Sequence, residues 1–398
     1  MKLSGVSVGS GDTEAEIFEY FIFSLYFCFI LFLSYILFYN QVYNNFPSDL
    51  SGHIRFTAEV SDGVSHIPHR LFQYIVIGVS NLFGINFPRS AIIVNALSVV
   101  FLVITFYVIA EKNFKKYKYE IKLLVVVLAT FSGTFYLPEL GLTSNHYLGN
   151  GSISIWHNPT LALLKPIALI SIYLFCNACL YEKLRIQKLV VSCIFAIVSI
   201  MAKPSFIVVF LPAILSVALL MQFVPKFLNH LSVSNKYVWI YAGFLFLFSI
   251  FILSIQFNIA FNGADGGGMV VAPLKVWHLY SKNIAISIII GNLYLINVYF
   301  IKYSRLSFAS LISLCMLVEG AVLFAMFSET GERSSSGNFS WSYVLMQNLA
   351  FFFILIDFIK NFQLMSKTGK WCGSLIFSMH FCGGLYYFIK IFNGGSFV

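Results

Sequence analysis

Eleven apolar runs, most of them close to the ~20 residues that carry a helix across a bilayer, follow one another along this chain with short polar breaks between them. They are Tyr20–Tyr39, Ser90–Ala110, Ile121–Tyr136, Leu161–Leu180, Leu189–Ala202, Ser205–Phe223, Tyr237–Phe257, Asn283–Ile301, Leu306–Phe327, Ser342–Phe358 and Trp371–Phe392. In lipid every backbone polar group must be satisfied inside the structure, so runs of this length become helices. The expected fold is all-α: a polytopic transmembrane bundle of about 11 spans, forming one integral membrane domain over 1–398. Composition agrees. The chain is 59% hydrophobic and 10% charged, with mean hydropathy +0.84, which excludes a soluble globular protein.

The net charge of +9 has no compact basic domain behind it, so a nucleic-acid partner is not expected. The lysines instead fall in short loops, where they orient spans. With the N-terminus cytoplasmic, 16 of the 25 basic residues lie inside. This holds only if the apolar stretch Leu71–Phe83 does not cross. At 13 residues between Pro68 and Gly84 it reads as an interfacial helix. Counting it as a span would put the basic run 112–118 outside. The seven cysteines all lie in or at apolar runs and read as small buried hydrophobes. The polar, acidic stretch Met1–Glu19 followed by a span-length run predicts no cleavable signal peptide.

This topology places every long loop on the outer face: Asn40–Arg89, Leu137–Thr160, Asn258–Lys282 and Ser328–Trp341. Six of the eight histidines (53, 66, 69, 146, 157 and 278) lie there. The first loop is the densest in titratable groups and is read as the reactive loop. Asp49 and His53 are four residues apart, one helical turn. A carboxylate just above the membrane serves as a general base or as a helix N-cap; Ser48-Asp49 suits the second role as well as the first. His66 and the pair His69-Arg70 stand at the start of the short helix, suited to a phosphate or to snorkelling toward headgroups. HxxH alone is weak as a zinc signature, and no metal ligand set is assigned.

Further on, Trp156, His157 and Asn158 combine an aromatic face with hydrogen-bonding edges of the kind that contact sugars. Trp156 alone also fits an aromatic belt. Lys203, in Lys203-Pro204, breaks two apolar runs near the outer surface; a lysine there calls for an anion, or marks a kink. Glu329 and Arg333 concentrate charge in the last outer loop, where an internal ion pair is the plainer explanation. Glu319 sits mid-span among apolar neighbours. The glycines at 263–268 lack the strand and the GK[ST] of a phosphate loop.

The order span, acidic outer loop, His69-Arg70-Leu71-Phe72-Gln73-Tyr74, Leu82-Phe83-Gly84, then a full span resembles GT-C-type integral membrane glycosyltransferases. Arg70 departs from that pattern, standing where proline is common. The runs 156–160 and 329–341 are similar to those of Wzy-type O-antigen polymerases. The resemblance implies transfer of a sugar or oligosaccharide from an undecaprenyl-phosphate or pyrophosphate carrier, on the periplasmic face of a bacterial inner membrane. It makes Asp49, with His53 and His157, the catalytic candidates, and Arg70, Lys203, Arg333 and His69 the phosphate ligands. Trp156, Asn158 and Glu329 would contact sugar. No cofactor is required, although a divalent cation is allowed for. Membrane lipids surround the enzyme, and a chain-length regulator or flippase could stand beside it as partner. The rival from another class is a flippase for the same lipid-linked glycan, expected to show polar or broken helices near mid-membrane.

Overall fold

The computed structural model describes residues 10–64, 67–135, 148–149, 152–180, 186–224, 233–261, 268–302, 305–331, 334 and 337–395, the side chains of 10–15, 260 and 261 excepted. Almost all of it is helix. In order these are α1 Ser10–Tyr43, α2 Leu50–Ser61, α3 Leu71–Phe83, α4 Phe87–Asn113, α5 Tyr119–Phe131, α6 Pro159–Cys179, α7 Ile186–Ala202, α8 Ile207–Phe223 and α9 Asn235–Phe261. After them come strand β1 Met269–Val271, α10 Lys275–Tyr280, α11 Ile284–Gly291, α12 Ile296–Ile301, α13 Phe308–Met326, strand β2 Phe327–Glu329, α14 Ser340–Asn361 and α15 Lys367–Phe392. The two strands pair antiparallel, Val270 opposite Ser328.

Seven of these helices, in α1, α4, α6, α9, α13, α14 and α15, are long and apolar enough to span a membrane. A bent pair, Ile284–Gly291 and Leu293–Ile301, folded by 59° at its break, would make an eighth. The chain is therefore built as a multi-pass membrane protein. The expected count of eleven exceeds these eight because three runs form shorter helices. Among them α7 and α8 have 17 residues each and are parted at Lys203-Pro204. The third, α5, has 13 and stops at Ser132. Residues 132–135 continue it as extended chain, which would be untenable in lipid were its polar groups not met. Helix α15 meets them: Gly133 N–H donates to the His380 carbonyl at 2.9 Å, and His380 Nδ1 lies 2.8 Å from the Gly133 carbonyl. That approach needs glycine on both sides, since a Cβ on Gly384 would collide with the Phe131 carbonyl.

Local signals set the helix ends. Asn86 accepts from Arg89 N–H at 3.1 Å and Pro88 follows, a favourable start for α4. Gly84 closes α3 at φ +63°, in the left-handed region where glycine costs nothing. Helices α1 and α4 run antiparallel. Near the start of α1, Glu19 accepts from Lys122 at 2.7 and 2.8 Å and from Tyr107 at 3.2 Å, close to the far end of α4. The end of α1 and the start of α4 thus share the opposite end of the bundle, and α2 and α3 lie between them there. Helix α3, about 20 Å long at 1.5 Å per residue, buries Phe72, Gln73, Val76 and Ser80 and exposes Tyr74, Leu82 and Phe83.

Candidate functional site

Asp49 precedes α2, yet its side chain makes no capping bond there. Ser48 does that work instead: its Oγ accepts from Leu50 N–H at 2.9 Å while donating to Gln41 Oε1 at 2.8 Å. The capping explanation for Asp49 therefore fails, and the carboxylate is left to face another element. Asn158 Nδ2 donates to Asp49 Oδ2 at 3.1 Å, and His157 Nε2 lies 3.6 Å from the same oxygen. Asp49 keeps 39% of its side chain exposed, whereas His157 retains 8%. One oxygen is thus held from behind while the group as a whole still reaches solvent.

The segment bearing His157 and Asn158 is fixed from three helices. Asn348 of α14 donates to the Ile153 carbonyl at 2.7 Å, and Lys165 of α6 donates to the Ser154 carbonyl at 2.7 Å. Trp156 Nε1 donates to the Thr130 carbonyl of α5 at 3.2 Å. Asn158 sits at φ +60°, ψ 110°, a conformation that costs a non-glycine residue roughly 1–3 kcal/mol. Its Oδ1 offsets this by accepting from Leu161 N–H at 3.1 Å and Thr160 Oγ1 at 2.7 Å. Strain maintained at the residue that binds Asp49 is a mark of a functional position.

Lys203, at the break between α7 and α8, completes the cluster. Its ammonium lies 4.3 Å from the Trp341 ring centroid, and Trp341 in turn lies parallel to the His157 imidazole at 6.2 Å. A desolvated cation–π contact is worth roughly 2 kcal/mol. Burial pushes Lys203 down to about 7, against the pull of Asp49. Burial likewise pushes His157 down to about 4; Asp49 opposes this, while Lys165 and Lys203 add to it. His53 is also pushed down to about 4, by burial and then by Lys203. Its Nδ1 is 3.3 Å from the Gln73 side-chain amide.

Of the expected residues, the structure brings Asp49, His53, His157, Asn158 and Lys203 into one electrostatic neighbourhood. His69 and Arg70 stand at the start of α3, where Arg70 Nε donates to the Ile67 carbonyl at 2.7 Å. Glu329 ends β2 and accepts from Asn338 at 2.7 Å. Arg333, His66 and His146 lie outside the described residues. Trp156 needs correcting. It is 2% exposed, packed between Phe131 and Phe388, with its N–H already spent, so it has no face to offer a sugar. Trp341, 7% exposed and stacked between Lys203 and His157, is the indole of this site. Lys165, fully buried, was also missed. Both had a signal: Lys165 is eight residues beyond His157, and Trp341 opens a span at the loop-rich end.

Among the described residues no group of three or more His, Cys, Asp or Glu side chains could hold a metal. The described donors do not suit a divalent cation either, because Asp49, the one carboxylate among them, stands beside Lys203. No protein-family model, curated protein or solved structure matches the chain.

Proposed function

We propose that this chain is an integral membrane glycosyltransferase or polymerase. It would act on undecaprenyl-linked sugars or repeat units during O-antigen or capsular polysaccharide synthesis, at the periplasmic face of a bacterial inner membrane. The observation that carries the reading is the pairing of a half-open carboxylate with one buried lysine, Lys203, at one end of an apolar bundle. Asp49, held by Asn158 and open to solvent, is suited to take the proton of an acceptor hydroxyl as it attacks the anomeric carbon. Lys203 supplies positive charge where the departing carrier phosphate gains negative charge. Trp341, buried against Lys203 and His157, holds the ammonium in position beside the carboxylate. Neutral His157, 3.6 Å from the carboxylate, acts through Asp49 as a polar neighbour rather than as a second base.

Deleting the gene and resolving the surface glycan by size tests this. A ladder collapsing to single repeat units identifies a polymerase, and loss of one branch sugar identifies a monosaccharide transferase. An unchanged glycan overturns the proposal.

One observation favours the rival, a flippase. The bent span α11–α12 buries Asn292 at its break, bonded to Tyr343 Oη at 2.6 Å and to Gln347 Nε2 at 3.3 Å. Broken helices with polar residues at the break are how many transporters build mid-membrane sites. Accumulation of complete lipid-linked units on the cytoplasmic leaflet of the deletion strain would support transport over transfer.

A further inference from the structure

At the end of the bundle away from Asp49, α5, α14 and α15 diverge around a groove of about 360 Å³. Its walls are Ile121, Leu124 and Leu128 from α5, Leu355 and Phe358 from α14, and Phe377 from α15. Leu124 is 47% exposed, so the groove opens sideways, toward the apolar flank that α5 shares with the spanning helices α14 and α15. Polar groups stand only along part of the lining: Tyr117, Gln363, Ser374 and Ser378. A hydrocarbon chain matches the walls, and hydroxyls at intervals do not prevent it.

Charge settles what kind of molecule bears that chain. The groove begins beside the basic run 112–118, and Lys360, Lys367 and Lys370 stand at the same end, against Glu111, Glu120 and the buried Asp357, which accepts from Ser307 and Ser310. Glu111 is already paired with Lys112 at 3.3 Å. Two of the lysines are fixed to the rim. Lys370 lies 5.4 Å from the ring centroid of Phe362, a lining residue. Lys360 follows the lining residue Ile359 and donates to Asn113 Oδ1, at the end of α4. The surplus is cationic and sits where the apolar walls end. Basic residues at the ends of spans recognise anionic headgroups in this way.

We propose that this groove binds one acyl chain of an anionic phospholipid, its phosphate held by Lys360 and Lys370. This site is separate from the Asp49 cluster and does not depend on the chemistry proposed there.

Native mass spectrometry of the full chain in detergent, titrated with phosphatidylglycerol or phosphatidylcholine of identical acyl chains, tests it. Phosphatidylglycerol is expected to bind more tightly, by roughly 30-fold for two lysines acting on one headgroup. The double variant Lys360→Gln/Lys370→Gln should erase that preference and leave phosphatidylcholine binding unchanged. Leu124→Trp, which fills the groove, should weaken both lipids; because it could disturb packing, the surface lysine variant stands as the independent arm. Equal affinity for the two lipids overturns the proposal, as does a preference that survives the lysine variant. A dimer mass that Leu124→Trp abolishes would assign the groove to a second copy instead.

Discussion

Two of the polar clusters that interrupt this apolar bundle are built differently. The one at Asp49 gathers titratable groups at helix ends: Lys203 at a break, a neutral His157 in a loop, and a carboxylate still in reach of water. The one at the bent span holds no described charge. It joins Asn292, Tyr343 and Gln347 through neutral hydrogen bonds, with Tyr294, Asn297 and His380 fully buried nearby. Lipid makes isolated charge expensive and neutral amides affordable when paired. The first cluster therefore has a cost that only a charged ligand would repay, whereas the second is explained by helix packing alone. The contrast predicts that substitutions in the first abolish activity without unfolding the protein, and that substitutions in the second do the reverse.

The largest effect is expected at Asp49. Asp49→Asn keeps shape and can still bond Asn158, but it removes the proton acceptor. General-base contributions are typically ~10²- to 10⁴-fold. Glycan transfer measured in membranes should drop by that factor while the protein accumulates normally. Since Ser48 and not Asp49 caps α2, near-normal transfer could not be explained by a rescued cap; it would remove Asp49 from the chemistry.

Lys203 comes next. Lys203→Met should weaken use of the phosphate-bearing donor by about 10²-fold or more, as expected when one partner of a buried charge pair is truncated. In the unaltered protein the lysine is charged below about pH 7 and loses its proton above it. Donor affinity should therefore fall as pH rises through that value, with the midpoint moving upward when donor is bound. A donor KM that stays level from weakly acidic to weakly alkaline pH would deny Lys203 a part in binding.

How much of this was legible in the sequence follows from the same physics. Charge in lipid is conspicuous, so Asp49, His157 and Lys203 stand out along a chain that is 10% charged. Hydropathy windows recover the long helices, and Gly84 and Asn86 mark their ends. Three things stayed hidden. A window of apolar residues cannot distinguish one span from a helix bent by 59°, because the break at Asn292 is a single residue. Nor can it show that the second half of an apolar run, 132–135, is extended chain paired to another helix. Trp156 and Trp341 read alike because an indole is equally apt for core and site, and only packing separates them.

That last pair sharpens the comparison at smaller magnitude. Trp156→Ala empties a sealed core position, which typically costs 3–5 kcal/mol, and should appear as poor accumulation and a lower Tm in detergent. Trp341→Ala should accumulate better and raise the donor KM, because it removes the ring beneath Lys203. At the bent span, Asn292→Ala should lower stability by roughly 1–3 kcal/mol through the groups left unpaired, with turnover per folded molecule unchanged. Turnover lost at normal stability would move the functional centre to the bent span and favour the flippase.

The smallest effect concerns the histidines. His53 and His157 both titrate near 4 in the folded protein, against 6.5 when unburied. At neutral pH both are uncharged, so transfer should show no limb with the midpoint of an ordinary histidine. Stability behaves otherwise. Between 6.5 and 4 the unfolded chain binds protons that the folded chain refuses, so stability rises with pH across that window and is lost as pH falls through it. Thermal midpoints of the detergent-solubilised protein should therefore decline on acidification from 6.5, and His157→Gln should flatten the decline. A midpoint that rises on acidification, or a decline that His157→Gln leaves intact, would mean that the imidazole beside Asp49 is already protonated. His157 would then be an acid poised against the carboxylate, and the proton accounting at this site would have to be reversed.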